Sequence, residues 1–366
     1  MSTSEEKYRK WGVPVIWRNM IVAFVLTLVF VALMNLAVDP FELYGSTILP
    51  VRNVNGYANK LNLYDEFGGS ANILIMGSSK VMTFDPVLVD STTGGTTFNF
   101  WLPGSGAETY YAALNLALEN NDVPIDTIIL GLGIETIHPA FPIQPEAKFV
   151  TEISRHFIYN PEFQGTIYER LGLLFTIDQT LNSYYKISQN LRGTLNQAQV
   201  DGIDVRKLEF RADGYTGHTL AETEIAEGTY DFDAEITSRL RQPRYNDQGM
   251  AIAAWQGIEG VRVRYWEDFL SLCEREDITI YAFMTPAHPR FWELMDTFDA
   301  IPVFDEVTDY FRESVTGAGG SFRDFRYVES FNGSEDQFYD EIHMRPANCD
   351  ALVDELLKDY EPGATE

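Results

Sequence analysis

The stretch Ala71-Asn-Ile-Leu-Ile-Met-Gly-Ser-Ser-Lys-Val-Met-Thr-Phe-Asp-Pro86 carries the clearest structural signal in this chain. Its apolar run Ile73-Leu74-Ile75-Met76 ends at Gly77-Ser78-Ser79, and the predicted strand spans 72–76. A short apolar run bounded by small residues is typical of a strand that is buried on both faces of a parallel sheet. Residues directly after such a strand lie where open α/β sheets bind their ligands. We therefore expect Ser79 to lie close to a functional site.

Further strands and helical patterns alternate along the chain after this segment. Apolar strand patterns recur at 96–101, 126–133, 278–284 and 321–327. This alternation predicts an α/β fold, a three-layer and doubly wound sheet that is mostly parallel. Residues 135–250 break the alternation, and we interpret them as an insertion that shapes a substrate cleft or, alternatively, serves as a membrane-proximal spacer. The insertion contains an apolar helical stripe made of Leu174, Ile177, Leu181, Tyr184 and Ile187.

The N-terminal region contains an apolar segment of the length of a membrane-spanning helix. Met20 to Val38 is a run of nineteen residues without a charge, close to the ~20 residues that cross a bilayer. Basic residues precede the run and acidic residues follow it. The positive-inside tendency therefore predicts a cytoplasmic N-terminus at 1–18, a transmembrane signal anchor at 19–38 that contacts the lipid bilayer, and an extracytoplasmic main domain. A cleaved signal peptide is the alternative. We expect 39–70 to be an irregular connection.

The composition argues against nucleic acid as a partner, and the motifs predict no metal and no cofactor. The chain has 366 residues and a formal net charge of −27, which repels the phosphates of nucleic acids. No Cys/His cluster has the spacing of a metal site, and no glycine-rich loop has the pattern that holds a phosphate. We expect Cys273 and Cys349 to be buried free thiols, although an oxidising compartment would allow them to pair.

Two of the five histidines have a carboxylate three residues upstream. They are His343, which follows Asp340, and His138, which follows Glu135. The base of a Ser-His-Asp triad needs an acid on its second ring nitrogen to fix its tautomer and orientation. Spacing leaves both pairs open, but a turn before the last predicted helix can lie over the carboxyl ends of the strands. We therefore predict a triad made of Ser79, His343 and Asp340.

A helix is predicted to begin directly after the second strand. Ser105 and Glu108 have the spacing of a capping box. The amides of Gly104 and Gly106 then lie at a helix N-terminus, where free N–H groups stabilise a developing negative charge.

Four motifs occur in the order of the sequence blocks of SGNH/GDSL-type hydrolases. They are Gly77-Ser78-Ser79, Asn99 with Gly104-Ser105-Gly106, Gly131-Leu132-Gly133, and Asp340 with His343. Over 72–134 and 278–358 the chain resembles this superfamily, and in particular its membrane-anchored SGNH-like proteins of polysaccharide O-acetylation and lipoteichoic acid D-alanylation. The resemblance implies an SGNH/flavodoxin-like domain at 71–360.

The resemblance also implies roles for the matching residues. Ser79 becomes the nucleophile, His343 the base and Asp340 its orienting acid. The oxyanion hole uses the Ser79 amide together with the amide of Gly104 or Gly106. This resemblance implies a serine esterase or O-acyltransferase that acts on an acylated glycan, with a multispanning membrane acyltransferase as a partner.

Other residues leave alternatives open. Asn99 is expected to bind substrate, whereas His288 either lines the pocket or caps a helix. Asp213-Gly214-Tyr215 either contacts a sugar or forms an exposed turn. The third block departs from the family pattern, because Gly133-Ile134-Glu135 replaces the Asn that donates to the oxyanion hole. This departure favours either the acyltransfer-associated branch or a non-catalytic glycan-binding or scaffold protein; a lipid esterase is a third hypothesis.

Overall fold

A computed structural model describes residues 4–41, 43–44, 46, 48–49, 56–141, 143, 147–148, 150–161, 167–191, 199–200, 203–204 and 209–360. The helices are α1 (Ser4–Val38), α2 (Gly56–Phe67), α3 (Pro86–Thr93), α4 (Ala107–Asn120), α5 (Thr151–Ser154), α6 (Ile167–Leu173), α7 (Ile177–Leu191), α8 (Thr219–Ala226), α9 (Phe232–Leu240), α10 (Pro243–Ala253), α11 (Val261–Arg275), α12 (Pro289–Asp296), α13 (Ile301–Gly317) and α14 (Pro346–Leu356). The strands are β1 (Ile73–Gly77), β2 (Thr97–Trp101), β3 (Thr127–Leu132), β4 (Gln199–Val200), β5 (Ile203–Asp204), β6 (Glu209–Phe210), β7 (Thr216–Gly217), β8 (Thr279–Met284) and β9 (Ser321–Asp324). The chain divides into two compact units, one made of Met1–Asn55 with Gly165–Val205 and the other of Gly56–Gln164 with Arg206–Glu366.

The second unit is built on a parallel sheet of five strands in the order β2-β1-β3-β8-β9. Alternate side chains of β1 enter different cores, with Leu74 and Met76 on one face and Ile73 and Ile75 on the other. Apolar helices therefore cover both faces, because side chains of a strand point alternately to opposite sides. The predicted α/β class with a parallel sheet is confirmed, and the first four strands of the sheet begin and end within one residue of the predicted bounds.

The strand order places a switch point between β1 and β3. The chain leaves β1 for β2 on one side and then crosses to β3 on the other side. The loops that follow β1 and β3 therefore diverge, which opens a crevice at the carboxyl ends of the two strands. This crevice is where the structure positions the candidate site.

The region predicted as an irregular connection contains a helix. In α2, Tyr57, Leu61 and Tyr64 are buried and lie three or four residues apart, so they form one face of the helix. The predicted connection over 39–70 is therefore too long.

The predictions for the two cysteines and for the apolar N-terminal segment agree with the structure. Cys273 and Cys349 are buried free thiols that lie in the cores on opposite faces of the sheet. In α1, Val15–Val38 has 24 residues with a mean hydropathy of 2.7 and is mostly exposed. This helix is long and apolar enough to cross a membrane, and it ends at Val38, directly before Asp39-Pro40.

Candidate functional site

The structure brings Ser79, His343 and Asp340 together. Ser79 begins a short 3₁₀ turn directly after β1, and its Oγ lies 2.8 Å from Nε2 of His343 although 264 positions separate the two residues. Nδ1 of the same imidazole lies 2.7 Å and 2.9 Å from the two carboxylate oxygens of Asp340. The serine hydroxyl, imidazole and carboxylate thus form one continuous hydrogen-bonded chain.

A tight loop fixes the two acid–base residues. The backbone amide of Tyr339 donates to the carbonyl of His343 at 2.8 Å. The Asp340 carboxylate accepts the amides of Ile342 at 3.0 Å and His343 at 2.8 Å. These bonds hold both side chains within one turn of backbone, which is how the spacing of three residues lets them meet.

Asp340 is held as a carboxylate. The residue is only 3% exposed, and Nη2 of Arg239 lies 3.7 Å from one of its oxygens. Burial opposes ionisation, but His343 and Arg239 together keep the pKa of Asp340 well below its usual range. An ionised Asp340 accepts the Nδ1–H of His343, so the lone pair of Nε2 faces the Ser79 hydroxyl.

The predicted oxyanion amides have no partner within the described part of the chain. The backbone N–H groups of Ser79, Gly104 and Gly106 make no hydrogen bond to any described residue. Gly106 is the N-cap of α4, so its amide lies at a helix N-terminus, as predicted. The predicted capping box is wrong, however, because the Ser105 side chain does not cap the helix and Glu108 instead pairs with Arg262 at 2.7 Å.

Asn99 and His288 have structural partners. Asn99 is fully buried, and its Nδ2 donates to the carbonyls of Val81 at 2.9 Å and Phe84 at 3.0 Å. Its predicted contact with substrate is therefore corrected, because this amide holds the chain after the Ser79 turn. His288 is the N-cap of α12, and its Nδ1 accepts the amide of Arg290 at 3.2 Å. Of the two alternatives for His288, the structure shows the helix cap.

Glu135 binds the turn that carries Ser79. Its carboxylate lies 2.8 Å from Nζ of Lys80 and accepts the hydroxyl of Ser78 at 3.3 Å. Burial favours the neutral acid, but Lys80 and Ser78 keep the pKa of Glu135 below its ordinary value. From the sequence, Glu135 was a candidate partner of His138 and part of the third block that lacks the Asn, but no contact with Lys80 was predicted. The signal that could have predicted this ion pair is that Lys80 follows β1 and Glu135 follows β3, which are neighbouring strands of the sheet.

His138 belongs to the core. Its ring meets Trp255 edge to face at a centroid distance of 4.5 Å, and its Nδ1 accepts the amide of Ala140 at 3.1 Å. Burial and the charge of Arg262 lower the pKa of His138 to about 4. The second Glu-x-x-His spacing therefore does not produce a second acid–base pair.

A wall of the site comes from the insertion. The β6–β7 hairpin is fixed to the Ser79 side of the sheet, because Thr216 donates its amide to Met82 at 2.8 Å and accepts the indole N–H of Trp101 at 3.0 Å. His218 lies two residues after Thr216, and its ring centroid is 6.1 Å from that of His343. Burial and the nearby His343 lower the pKa of His218 to about 3, so its ring is neutral near pH 7.

The helix that follows the hairpin is tied to the loop of the triad. Glu222 of α8 accepts the hydroxyl of Tyr339 at 2.7 Å and both N–H arms of Arg345 at 3.0 Å. Between these elements lies a cavity of about 520 Å³. It is lined by Tyr215, Gly217, His218, Glu222, Thr223, Ala226, Glu227 and Tyr339.

Comparison of the chain with models of known protein families and with characterised proteins finds no match. Within the described ranges, no group of three or more His, Cys, Asp and Glu side chains has the arrangement of a metal site.

Proposed function

We propose that this protein is a serine esterase or O-acyltransferase of the SGNH-like type that acts on acyl esters of a polysaccharide outside the cytoplasm. The observation that carries the proposal is the contact of Ser79 Oγ with His343 Nε2 at 2.8 Å, continued to Asp340 at 2.7 Å. A nucleophile, its base and an orienting acid within hydrogen-bond reach are the geometric requirement for acyl transfer through serine.

The chemical step follows from the positions of the protons. His343 Nε2 takes the hydroxyl proton of Ser79 while Oγ forms a bond to the acyl carbonyl carbon. The C–O bond of the ester then breaks, and the imidazolium returns the proton to the leaving alkoxide, which departs as the alcohol. Water or a glycan hydroxyl repeats the sequence on the acyl-enzyme and regenerates Ser79.

The negative charge on the oxygen of the tetrahedral intermediate needs hydrogen-bond donors that stabilise it. The free amides of Ser79, Gly104 and Gly106 support this role, because they lie after β1 and at the start of α4. The third block offers the carboxylate of Glu135 in place of an amide side chain, and its charge is compensated by Lys80. Loss of one donor costs about 10²–10³ in rate in a hydrolase, so we expect slow turnover whether the acceptor is water or a glycan hydroxyl.

The cavity beside the triad supports a sugar as the alcohol part of the substrate. Tyr215 and Tyr339 give it aromatic side chains, and Glu222, Thr223 and Glu227 give it hydroxyl-binding groups. Aromatic rings with polar acceptors around them suit the apolar faces and hydroxyls of a pyranose.

A serine-reactive fluorophosphonate tests the proposal on the full-length protein in detergent. We expect wild type to be labelled and Ser79→Ala to remain unlabelled, with ester hydrolysis reduced by about 10⁴-fold or more. Ser91→Ala is the matched control, since Ser91 is an exposed serine on α3 that hydrogen-bonds only within its helix. Labelling of Ser79→Ala at the wild-type rate would contradict the proposal. A folded wild type that resists labelling would instead favour the non-catalytic glycan-binding or scaffold protein.

A further inference from the structure

The α7 helix has the opposite polarity from a helix of a water-soluble protein. Its exposed side chains include Ile177 (79% exposed), Leu181 (49%), Tyr184 (59%) and Leu191 (81%). Its buried side chains include Gln179, Ser183 and Lys186, each at most 1% exposed. The sequence predicted an apolar stripe at 174, 177, 181, 184 and 187. The structure directs 177, 181 and 184 outward, whereas Leu174 is buried and Ile187 is half-buried. Amphipathic helices in water turn their apolar stripe to the core.

The buried polar face of α7 and the turn before it contact the end of α1. Asn35 Nδ2 donates to the carbonyl of Leu174 at 2.7 Å and to the Thr180 hydroxyl at 3.0 Å. Lys186 Nζ donates to the carbonyl of Asp39 at 3.0 Å. All of these residues belong to the N-terminal unit. These bonds satisfy Asn35 Nδ2 and Lys186 Nζ away from solvent, whereas Asn35 Oδ1, Gln179 Nε2 and Ser183 Oγ have no hydrogen-bond partner among the described residues.

These contacts lie within the apolar length of α1. Val31, Ala32 and Met34 are half-buried and Asn35 is fully buried, whereas the side chains at 15–30 are exposed. Helix α7 and the turn before it therefore pack along the last two turns of the span, which is about 10 Å of helix. An asparagine inside a spanning helix is costly unless it is hydrogen-bonded, and Leu174 and Thr180 accept the two bonds of its amide nitrogen.

The apolar surface continues beyond α7. Tyr168 (82% exposed) and Leu171 (48%) of α6 and Phe175 (52%) of the turn between the helices are also exposed. Large apolar side chains exposed together on α6, α7 and the turn between them indicate an interaction site, and tyrosine with other aromatic residues concentrates at the boundary between lipid and water.

We propose that α6 and α7, residues 167–191, form a hairpin that inserts into the bilayer leaflet at the C-terminal end of α1, with its outer face against lipid. Two observations favour lipid over a protein partner. The outer face continues the exposed apolar surface of α1, and its side chains are large, whereas packed membrane helices use small residues at their contacts. The inference is independent of the catalytic proposal.

Spin-label accessibility in lipid vesicles tests this placement. The full-length protein is placed in vesicles of phosphatidylcholine and phosphatidylglycerol without any other protein, and nitroxides are attached at Ile177→Cys and Leu181→Cys. The control label is at Val87→Cys, an apolar residue of α3 that is 60% exposed. The native thiols Cys273 and Cys349 are buried, and the unsubstituted protein measures their background.

For each label we compare the rate of collision with oxygen to the rate of collision with a water-soluble nickel chelate. We expect this ratio to be at least about fivefold higher at 177 and 181 than at 87, because the hydrocarbon core excludes the chelate. Free access of the chelate at 177 and 181 would overturn the proposal and indicate a surface that awaits a protein partner. Protection from both reagents would also overturn it and indicate a contact between two copies of the chain. Both labels replace exposed side chains. Agreement between the two positions shows that the result does not come from a local perturbation by one label.

Discussion

At the scale of single residues, the charge of Glu135 is the least expected part of the candidate site. A Cβ atom on Gly133 would lie 2.3 Å from a carboxylate oxygen of Glu135, so the side chain folds back over the glycine. This conformation directs the carboxylate to Lys80 and Ser78, the residues on either side of Ser79. Glu135 therefore links the loop after β3 to the turn after β1.

Glu135→Gln should loosen this link. The substitution leaves the ammonium of Lys80, whose side chain is 17% exposed, without its carboxylate. We expect the free energy of unfolding to fall by about 1–3 kcal/mol, because a largely buried charge loses its partner, and fluorophosphonate labelling of Ser79 to slow. Urea unfolding in detergent and the labelling rate measure the two effects. Glu66→Gln on the exposed side of α2 is the control, and equal behaviour of the two variants would refute the role of Glu135.

At the scale of secondary-structure elements, the β6–β7 hairpin connects the insertion to the side of the sheet that carries Ser79. Its turn approaches β2 closely, since the Asn99 amide donates to the carbonyl of Asp213 at 2.8 Å. Lys60 Nζ donates to the carbonyls of Asn99 and Gly214, although burial lowers the pKa of this lysine well below its ordinary value. The segment Asp213-Gly214-Tyr215 is thus a packed turn that positions His218.

Gly214→Ala should displace this hairpin. Gly214 has φ +82°, and an added Cβ would lie 2.2 Å from the carbonyl oxygen of Asn99. Gly228→Ala is a matched control, because Gly228 has φ +70° and open space around it. We expect Gly228→Ala to cost about 1 kcal/mol through backbone strain alone and Gly214→Ala to cost at least ~2 kcal/mol more. Thermal unfolding of both variants makes the comparison, and equal losses would show that the hairpin tolerates displacement.

The elements of the sheet could be predicted from sequence because their signals are local. An apolar run with Gly-Ser-Ser after it defines β1, and the spacing of Asp340 and His343 reflects one turn of backbone. The hydrogen bonds of the buried Asn99 side chain could not be predicted. They depend on the carbonyls of Val81 and Phe84, which lie in a turn whose orientation the sequence does not reveal.

Periodicity alone was likewise insufficient for α7. It showed that one face is apolar, but it does not reveal whether that face meets a core or lies outward. In the structure the polar face meets the end of α1 instead, through partners more than 130 positions apart, such as Asn35 and Thr180. Contacts of this range have no local signature in the sequence.

At the scale of the whole molecule, buried imidazoles make stability depend on pH. Burial is the largest cause that lowers the pKa of His218 to about 3 and that of His138 to about 4, whereas both titrate near 6.5 in an unfolded chain. Between about pH 4 and 6.5 the unfolded state therefore binds more protons than the folded state. Stability contributed by these groups rises with pH through this window and is complete above it.

His218→Phe isolates one of these contributions. Phenylalanine keeps an aromatic ring beside Tyr339, whose centroid lies 4.2 Å from that of His218, but it cannot bind a proton. Between pH 4.5 and 6 the unfolding free energy of the wild type rises with pH. We expect this slope to be smaller in the variant by up to about 1.4 kcal/mol per pH unit. Urea unfolding in detergent across pH 4.5–8.5 provides the curves. Wild type and variant should run parallel above pH 7.5, and parallel curves at acid pH would show that His218 is protonated in the folded state.

The bonds that join Asn35 to Leu174 and Thr180 restrict how α1 can be removed from this protein. A protease that cleaved after Val38 would separate the hairpin from the residue that caps its turn. In the released fragment, Gln179 and Ser183 would lose the cover of α1, and Ile177 would face water. We expect such fragments to aggregate. A shortened chain without α1 is therefore expected to stay dispersed in water only if residues 167–191 are removed with it.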